Sequence, residues 1–271
     1  MEGPECSTWL AGDFEDPWVV AIASALPRAL VRIDGRGDLP EVWPAGVPSA
    51  IVLHRLALTA SDLVTVSRLR SRLLPSTKLI LIVSPHVRYV DVERWSRLVD
   101  VVLPEGTAPF TVARHVLDLK PPHPPRSRPR VAVISSNYEL RRTLADAVRA
   151  SGYAVEPVLA PSESSERLAV WDVPVLDPEW PAKLAALAKA AAVVALLGMA
   201  DRTTVARAME AGASSCLDLP CDVEDLALAL ARVELGVHAG HRGLKGPFAW
   251  SGLNRRLAND VQSGARDDSP A

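Results

Sequence analysis

The sequence predicts an α/β protein made of two parallel-sheet domains in tandem. Three observations carry this. Short, continuously apolar β-branched runs alternate with amphipathic segments, the pattern of parallel strands covered on both faces by helices. A proline-rich segment, Lys120 to Arg130, divides the chain near its middle. The halves on either side repeat the same order of elements with matched spacing.

In the first half, Thr8 to Ala11 reads as a strand, Pro17 to Leu26 as a helix, Val31 to Ile33 as a strand and Ala50 to Leu56 as another. A helix follows over Asp62 to Leu74, a strand over Leu79 to Val83, a helix over Val90 to Leu98, a strand over Asp100 to Leu103 and a helix over Phe110 to Leu119. Five prolines in Lys120-Pro-Pro-His-Pro-Pro-Arg-Ser-Arg-Pro-Arg130 remove backbone donors and favour extended polyproline II, so this stretch is expected to be a semi-rigid linker.

The second half opens with a strand at Val131 to Ser135. The helix from Tyr138 to Ala150 carries apolar positions at Leu140, Leu144, Ala147 and Val148 and stops at Gly152. Strands at Ala154 to Leu159 and Leu168 to Val173 come next, then an alanine-rich helix from Trp180 to Ala190. Ala192 to Leu197 is a strand, Thr203 to Ala211 a helix stopped by Gly212, Ser215 to Leu219 a strand, and Val223 to Val237 a helix. Asp13 to Leu30 and Asn137 to Ala154 span the same 17-residue interval, and Val102-Leu103-Pro104 matches Asp218-Leu219-Pro220 at the close of each fifth strand. The chain therefore reads as a duplicated (βα)5 unit with an eroded first copy. The domains are expected at 1–119 and 131–237, joined by the linker at 120–130. A tail at 238–271 has room for one short helix around Leu253 to Val261 and a disordered end.

Composition narrows the function. The chain has 271 residues, 48% of them hydrophobic and 23% charged, with a net charge of -2, so there is no overall electrostatic pull toward nucleic acid or acidic membrane. Its three cysteines cannot staple a chain of this length, which favours a reducing, cytoplasmic setting. The N-terminus lacks the basic and apolar regions of a secretory signal, and the run from Ala190 to Ala200 falls short of the roughly 18 residues a bilayer span needs.

Other motifs point away from catalysis. Cys216, Cys221, His238 and His241 are the residue types of a zinc site, but the strand and long helix expected between them oppose convergence. No Walker loop, dinucleotide fingerprint or nucleophile elbow occurs. Ser135-Ser136-Asn137 sits between strand and helix, where N-capping is the ordinary role.

Ala208-Met-Glu-Ala-Gly-Ala213, Cys216-Leu-Asp-Leu-Pro220 and Asp222-Val-Glu-Asp-Leu226 together resemble the end of a receiver domain of bacterial two-component response regulators. The resemblance runs from Arg130 to about Val233, and the first half is similar in element order alone. It implies a doubly wound, flavodoxin-like (CheY-like) sheet with strand order 2-1-3-4-5 in each copy. It also implies a site with a phosphate-accepting aspartate, an acid pair for Mg²⁺, a hydroxyl and a lysine. Asp172 falls at the acceptor position. Ser135 and Ser136 stand in place of the acid pair, Leu197 in place of the hydroxyl and Leu219 in place of the lysine. In the first copy, His54 takes the acceptor position and Leu103 the lysine position.

Mg²⁺ needs oxygen ligands, and phosphoryl transfer needs cationic stabilisation, so one aspartate without these partners is a poor acceptor. Both copies are accordingly expected to be pseudo-receivers that signal by phosphorylation-independent protein contact, without catalysis, cofactor or metal. The resemblance places the partner face on Arg202, Arg207, Glu210, Asp218, Asp222 and Glu224. The expected partner is a protein: a signalling kinase, a regulator or a second copy of the chain. The rival expectation is a small-ligand binder or enzyme of flavodoxin-like shape, its crevice lined by Ser135, Ser136, Asp172 and Gly198. An RNA-binding antiterminator would need a helical output region that the tail hardly provides.

Overall fold

The computed structural model describes residues 7–27, 29–120, 129–198 and 200–238. They fall into two compact units divided between Leu119 and Lys120. The linker residues 121–128 and the tail helix expected over Leu253 to Val261 lie outside the described residues.

The first unit runs β1 (Thr8–Gly12), α1 (Pro17–Ala25), β2 (Leu30–Asp34), β3 (Ala50–Arg55), α2 (Ala60–Arg70), β4 (Lys78–Val83), α3 (Tyr89–Ser96), β5 (Val101–Pro104) and α4 (Ala108–Leu117). Its five strands are parallel, in the order β2-β1-β3-β4-β5. Side chains on a strand alternate between faces. Leu10, Val52, Ile80 and Ile82 therefore pack with Val19 and Ile22 of α1 and Val112 of α4, while Trp9, Ile51, Leu53, Leu79 and Leu81 pack with Val66 of α2 and Trp95 of α3. The same alternation carries His54 to the first face and Arg55 to the second.

The second unit runs β6 (Arg130–Ile134), α5 (Tyr138–Ala150), β7 (Ala154–Val158), a 3-10 turn (Pro161–Glu163), β8 (Leu168–Val173), α6 (Trp180–Ala188), β9 (Ala192–Gly198), α7 (Arg202–Glu210), β10 (Ser215–Leu219) and α8 (Val223–His238). Its sheet is parallel in the order β7-β6-β8-β9-β10, the same 2-1-3-4-5 pattern.

Helix ends depart from the sequence expectation for local reasons. α2 begins at Ala60 rather than Asp62, because Thr59 accepts a hydrogen bond from the Asp62 amide and caps the helix two residues earlier. It ends at Arg70, before the turn that leads to Pro75, rather than at Leu74. α4 stops at Leu117 because Asp118 takes a left-handed conformation, with φ of 50°. No helix among the described residues is long and apolar enough to cross a membrane.

Candidate functional site

In a doubly wound sheet the working crevice lies at the carboxyl ends of the strands, where the chain order reverses. In the second unit that point falls between β6 and β8. Ser135, fully buried just after β6, donates its hydroxyl to Asp172 Oδ2 at 2.7 Å. The Asn137 amide donates to the same Ser135 oxygen at 3.1 Å, and Arg141 Nη1 donates to the Ser135 carbonyl at 2.5 Å. The Arg141 guanidinium also lies 5.8 Å from the centre of the Tyr138 ring. Asn137 caps α5 by accepting from the Leu140 amide.

Asp172 is thus half-buried and tied to a neutral hydroxyl, at the place where the resemblance asks for an acid pair. Leu197 is buried in the core, filling the hydroxyl position with hydrocarbon. Leu219, partly exposed, presents no cation, and the peptide between it and Pro220 is cis. Gly198 is exposed at the end of β9, and Ser136 is exposed beside Ser135.

The six residues expected on the partner face sit on or beside α7, β10 and α8. Arg207, Glu210, Asp222 and Glu224 are exposed, and Arg202 is half-exposed. Arg207 lies 5.4 Å from the centre of the buried Trp180 ring. Asp218 does something else: its Oδ1 accepts from the amides of Ala200 and Leu219 at 3.0 and 3.1 Å, fixing the loop between β9 and α7.

Burial acts on both described cysteines. Cys216 is fully buried in β10, and loss of solvation holds its thiol far above the usual range. Cys221 is pushed up to about 11, first by burial and then by Asp225 and Asp222. The thiolate is the nucleophile, and both surroundings favour the neutral thiol; His241, the last residue of the zinc-type set, lies outside the described residues.

The first unit carries a different arrangement, most of which the sequence reading missed. His54 Nε2 lies 2.5 Å from Glu105 Oε1, with both side chains almost wholly buried. Asp16, which caps α1 by accepting from the Trp18 amide, joins them, and one ligand atom from each of the three residues lies within 4.8 Å of the others. On the opposite face, Arg55 Nη2 pairs with buried Asp62 at 2.6 Å and donates to the Gly37 carbonyl, while Nη1 donates to the Gly35 carbonyl. Asp62 also accepts from the Leu39 amide. Arg36 bridges exposed Asp34 and Glu15 and half-buried Asp13.

These residues escaped the sequence reading because no short motif joins them. The crossovers bring together positions as far apart as Asp16 and Glu105. The usable signal was the interruption of apolar β3 by His54-Arg55, two charged or polar residues where a buried strand calls for hydrocarbon.

No family model matches the chain, and no curated protein matches it. Among solved structures, it is similar to the signal receiver domain of a signal transduction histidine kinase from Syntrophus aciditrophicus, with 21% identity over 41% of this chain and 92% of that one and a TM-score of 0.35. It is also similar to the chemotaxis protein CheY4 of Vibrio cholerae, with 18% identity over 40% and 99% of the two chains and a TM-score of 0.36. The C-terminus of RcsC from E. coli, containing a linker region and a phosphoreceiver domain, shares 11% identity over 89% of this chain and 98% of that one, with a TM-score of 0.36. The fold is receiver-like. That assignment stands on the strand order and register of the chain itself, which both units satisfy.

Proposed function

We propose that this chain is a regulatory protein whose two receiver-like units work by protein contact without phosphorylation. The observation that carries the reading is the Ser135–Asp172 hydrogen bond. Where a phosphorylatable site would hold Mg²⁺ between carboxylates, this unit holds a buried serine. The catalytic cation and hydroxyl positions are leucines. Without metal or cationic stabilisation, transfer of a phosphoryl group to Asp172 loses the electrostatic terms that lower its barrier.

In the first unit an imidazole, His54, stands where the resemblance asks for the acceptor aspartate, so that position offers no carboxylate to phosphorylate. Contact through α7 and the start of α8 fits the exposure of Arg207, Glu210, Asp222 and Glu224, charges that would steer and orient a partner more than supply affinity. Asp218 serves the loop beneath this face. The partner is a protein, either another signalling component or a second copy of the chain, in the cytoplasm of a bacterium.

A paired comparison tests this. Arg207→Ala with Glu210→Ala is expected to weaken partner or self-association at least tenfold by pull-down or sedimentation, with the fold intact by circular dichroism. Asp172→Asn is expected to leave association unchanged. Loss of association in Asp172→Asn alone would place function in the strand-end crevice instead.

A further inference from the structure

We propose that Asp16, His54 and Glu105 form a binding site for a divalent transition metal of the zinc class in the first unit. The site is assembled from three separate elements: the N-cap of α1, the end of β3 and the residue after β5. It offers one imidazole nitrogen and two carboxylates, and the three ligand atoms already lie within 4.8 Å of one another.

Residue chemistry selects the ion. Mg²⁺ and Ca²⁺ prefer all-oxygen shells, whereas an imidazole beside carboxylates suits zinc and its first-row neighbours. Bonds of about 2.0 to 2.2 Å to nitrogen and oxygen set neighbouring ligand atoms roughly 3 to 3.5 Å apart. The 2.5 Å between His54 Nε2 and Glu105 Oε1 must therefore open slightly as an ion replaces the hydrogen bond that joins them.

Preorganisation supports the site. The side chains of His54 and Glu105 are 3% and 1% exposed, so little desolvation remains to be done on binding. Gly12 leaves room beside the histidine: a Cβ there would stand 3.3 Å from His54 Cβ and 3.0 Å from Val19. Glu105 is anchored by its amide, which donates to the Val83 carbonyl at 2.9 Å. Arg36 meanwhile draws Asp13, Glu15 and Asp34 into its own network, which leaves the half-buried Asp16 beside the buried His54 and Glu105.

The test is Co²⁺ titration of the chelator-stripped full chain, read by visible absorption, with Zn²⁺ in competition. The wild-type chain is expected to bind Co²⁺ through nitrogen and oxygen, without a sulfur charge-transfer band, and to release it to Zn²⁺. His54→Gln and Glu105→Gln should each weaken binding at least tenfold, while joint replacement of His238 and His241 should not. A measurement on the wild-type chain alone guards against unfolding of the variants: bound Co²⁺ should selectively broaden amide resonances around Asp16, His54 and Glu105. No binding, binding unchanged in His54→Gln, or broadening centred elsewhere would overturn the assignment.

Discussion

Breaking the Arg55–Asp62 pair would leave one charge buried without its counterion, and this makes the pair a sensitive point of the first unit. Asp62 is fully buried and Arg55 nearly so, and between them they hold the backbone of Gly35, Gly37 and Leu39. Asp62→Ala is expected to destabilise the first unit by about 3 to 5 kcal/mol, because the Arg55 guanidinium stays desolvated. Replacing both residues with leucine should recover much of that loss. Urea unfolding followed by tryptophan fluorescence would measure both. At this scale the sequence was least informative. Asp172 could be aligned from its place on β8, and the loss of the acid pair to Ser135 and Ser136 followed directly. That Ser135 would turn its hydroxyl onto Asp172 could not be read, and neither could the meeting of His54 with Glu105. Both depend on how crossovers close over the sheet.

Elements were far more legible, because apolar runs and glycine stops act locally. The run Ala192 to Leu197 had to be a buried strand, and Gly212 had to end α7. Gly212 holds φ at +104°, a conformation costly for any residue with a Cβ, and an added Cβ would stand 2.8 Å from Ala188 Cβ. Gly212→Ala is therefore expected to cost more than about 1 kcal/mol, visible as a lowered melting temperature of the second unit. Gly35 belongs to the same class, since a Cβ there would meet the Gly12 amide nitrogen at 2.7 Å. Helix starts were read within a residue except at α2 and α4, each read two residues late. A cap such as Thr59 acts through one hydroxyl whose reach the apolar period does not report. The 3-10 turn at Pro161–Glu163 carries no periodicity and went unread for the same reason.

At the scale of the whole molecule, two units of one topology carry different residues at their strand ends. The second copy retains the aspartate but surrounds it with serine and leucine. The first replaces the aspartate with a histidine paired to glutamate and places an arginine over its exposed acids. Apolar strands and crossovers hold each sheet, and neither needs the chemistry of a phosphorylation site, so the fold does not depend on a switch. A phosphoryl switch requires two states with different affinity for the modified group. The proposed function, contact without phosphorylation, gives this protein no such pair of states. Amide NMR spectra of the full chain, recorded with and without Mg²⁺ and beryllium fluoride as an acyl-phosphate mimic, test it most directly. Unchanged resonances around Ser135, Asp172 and α7 at millimolar Mg²⁺ are predicted. Saturable shifts that start at Asp172 and extend to α7 would contradict the account and make the second unit a working receiver.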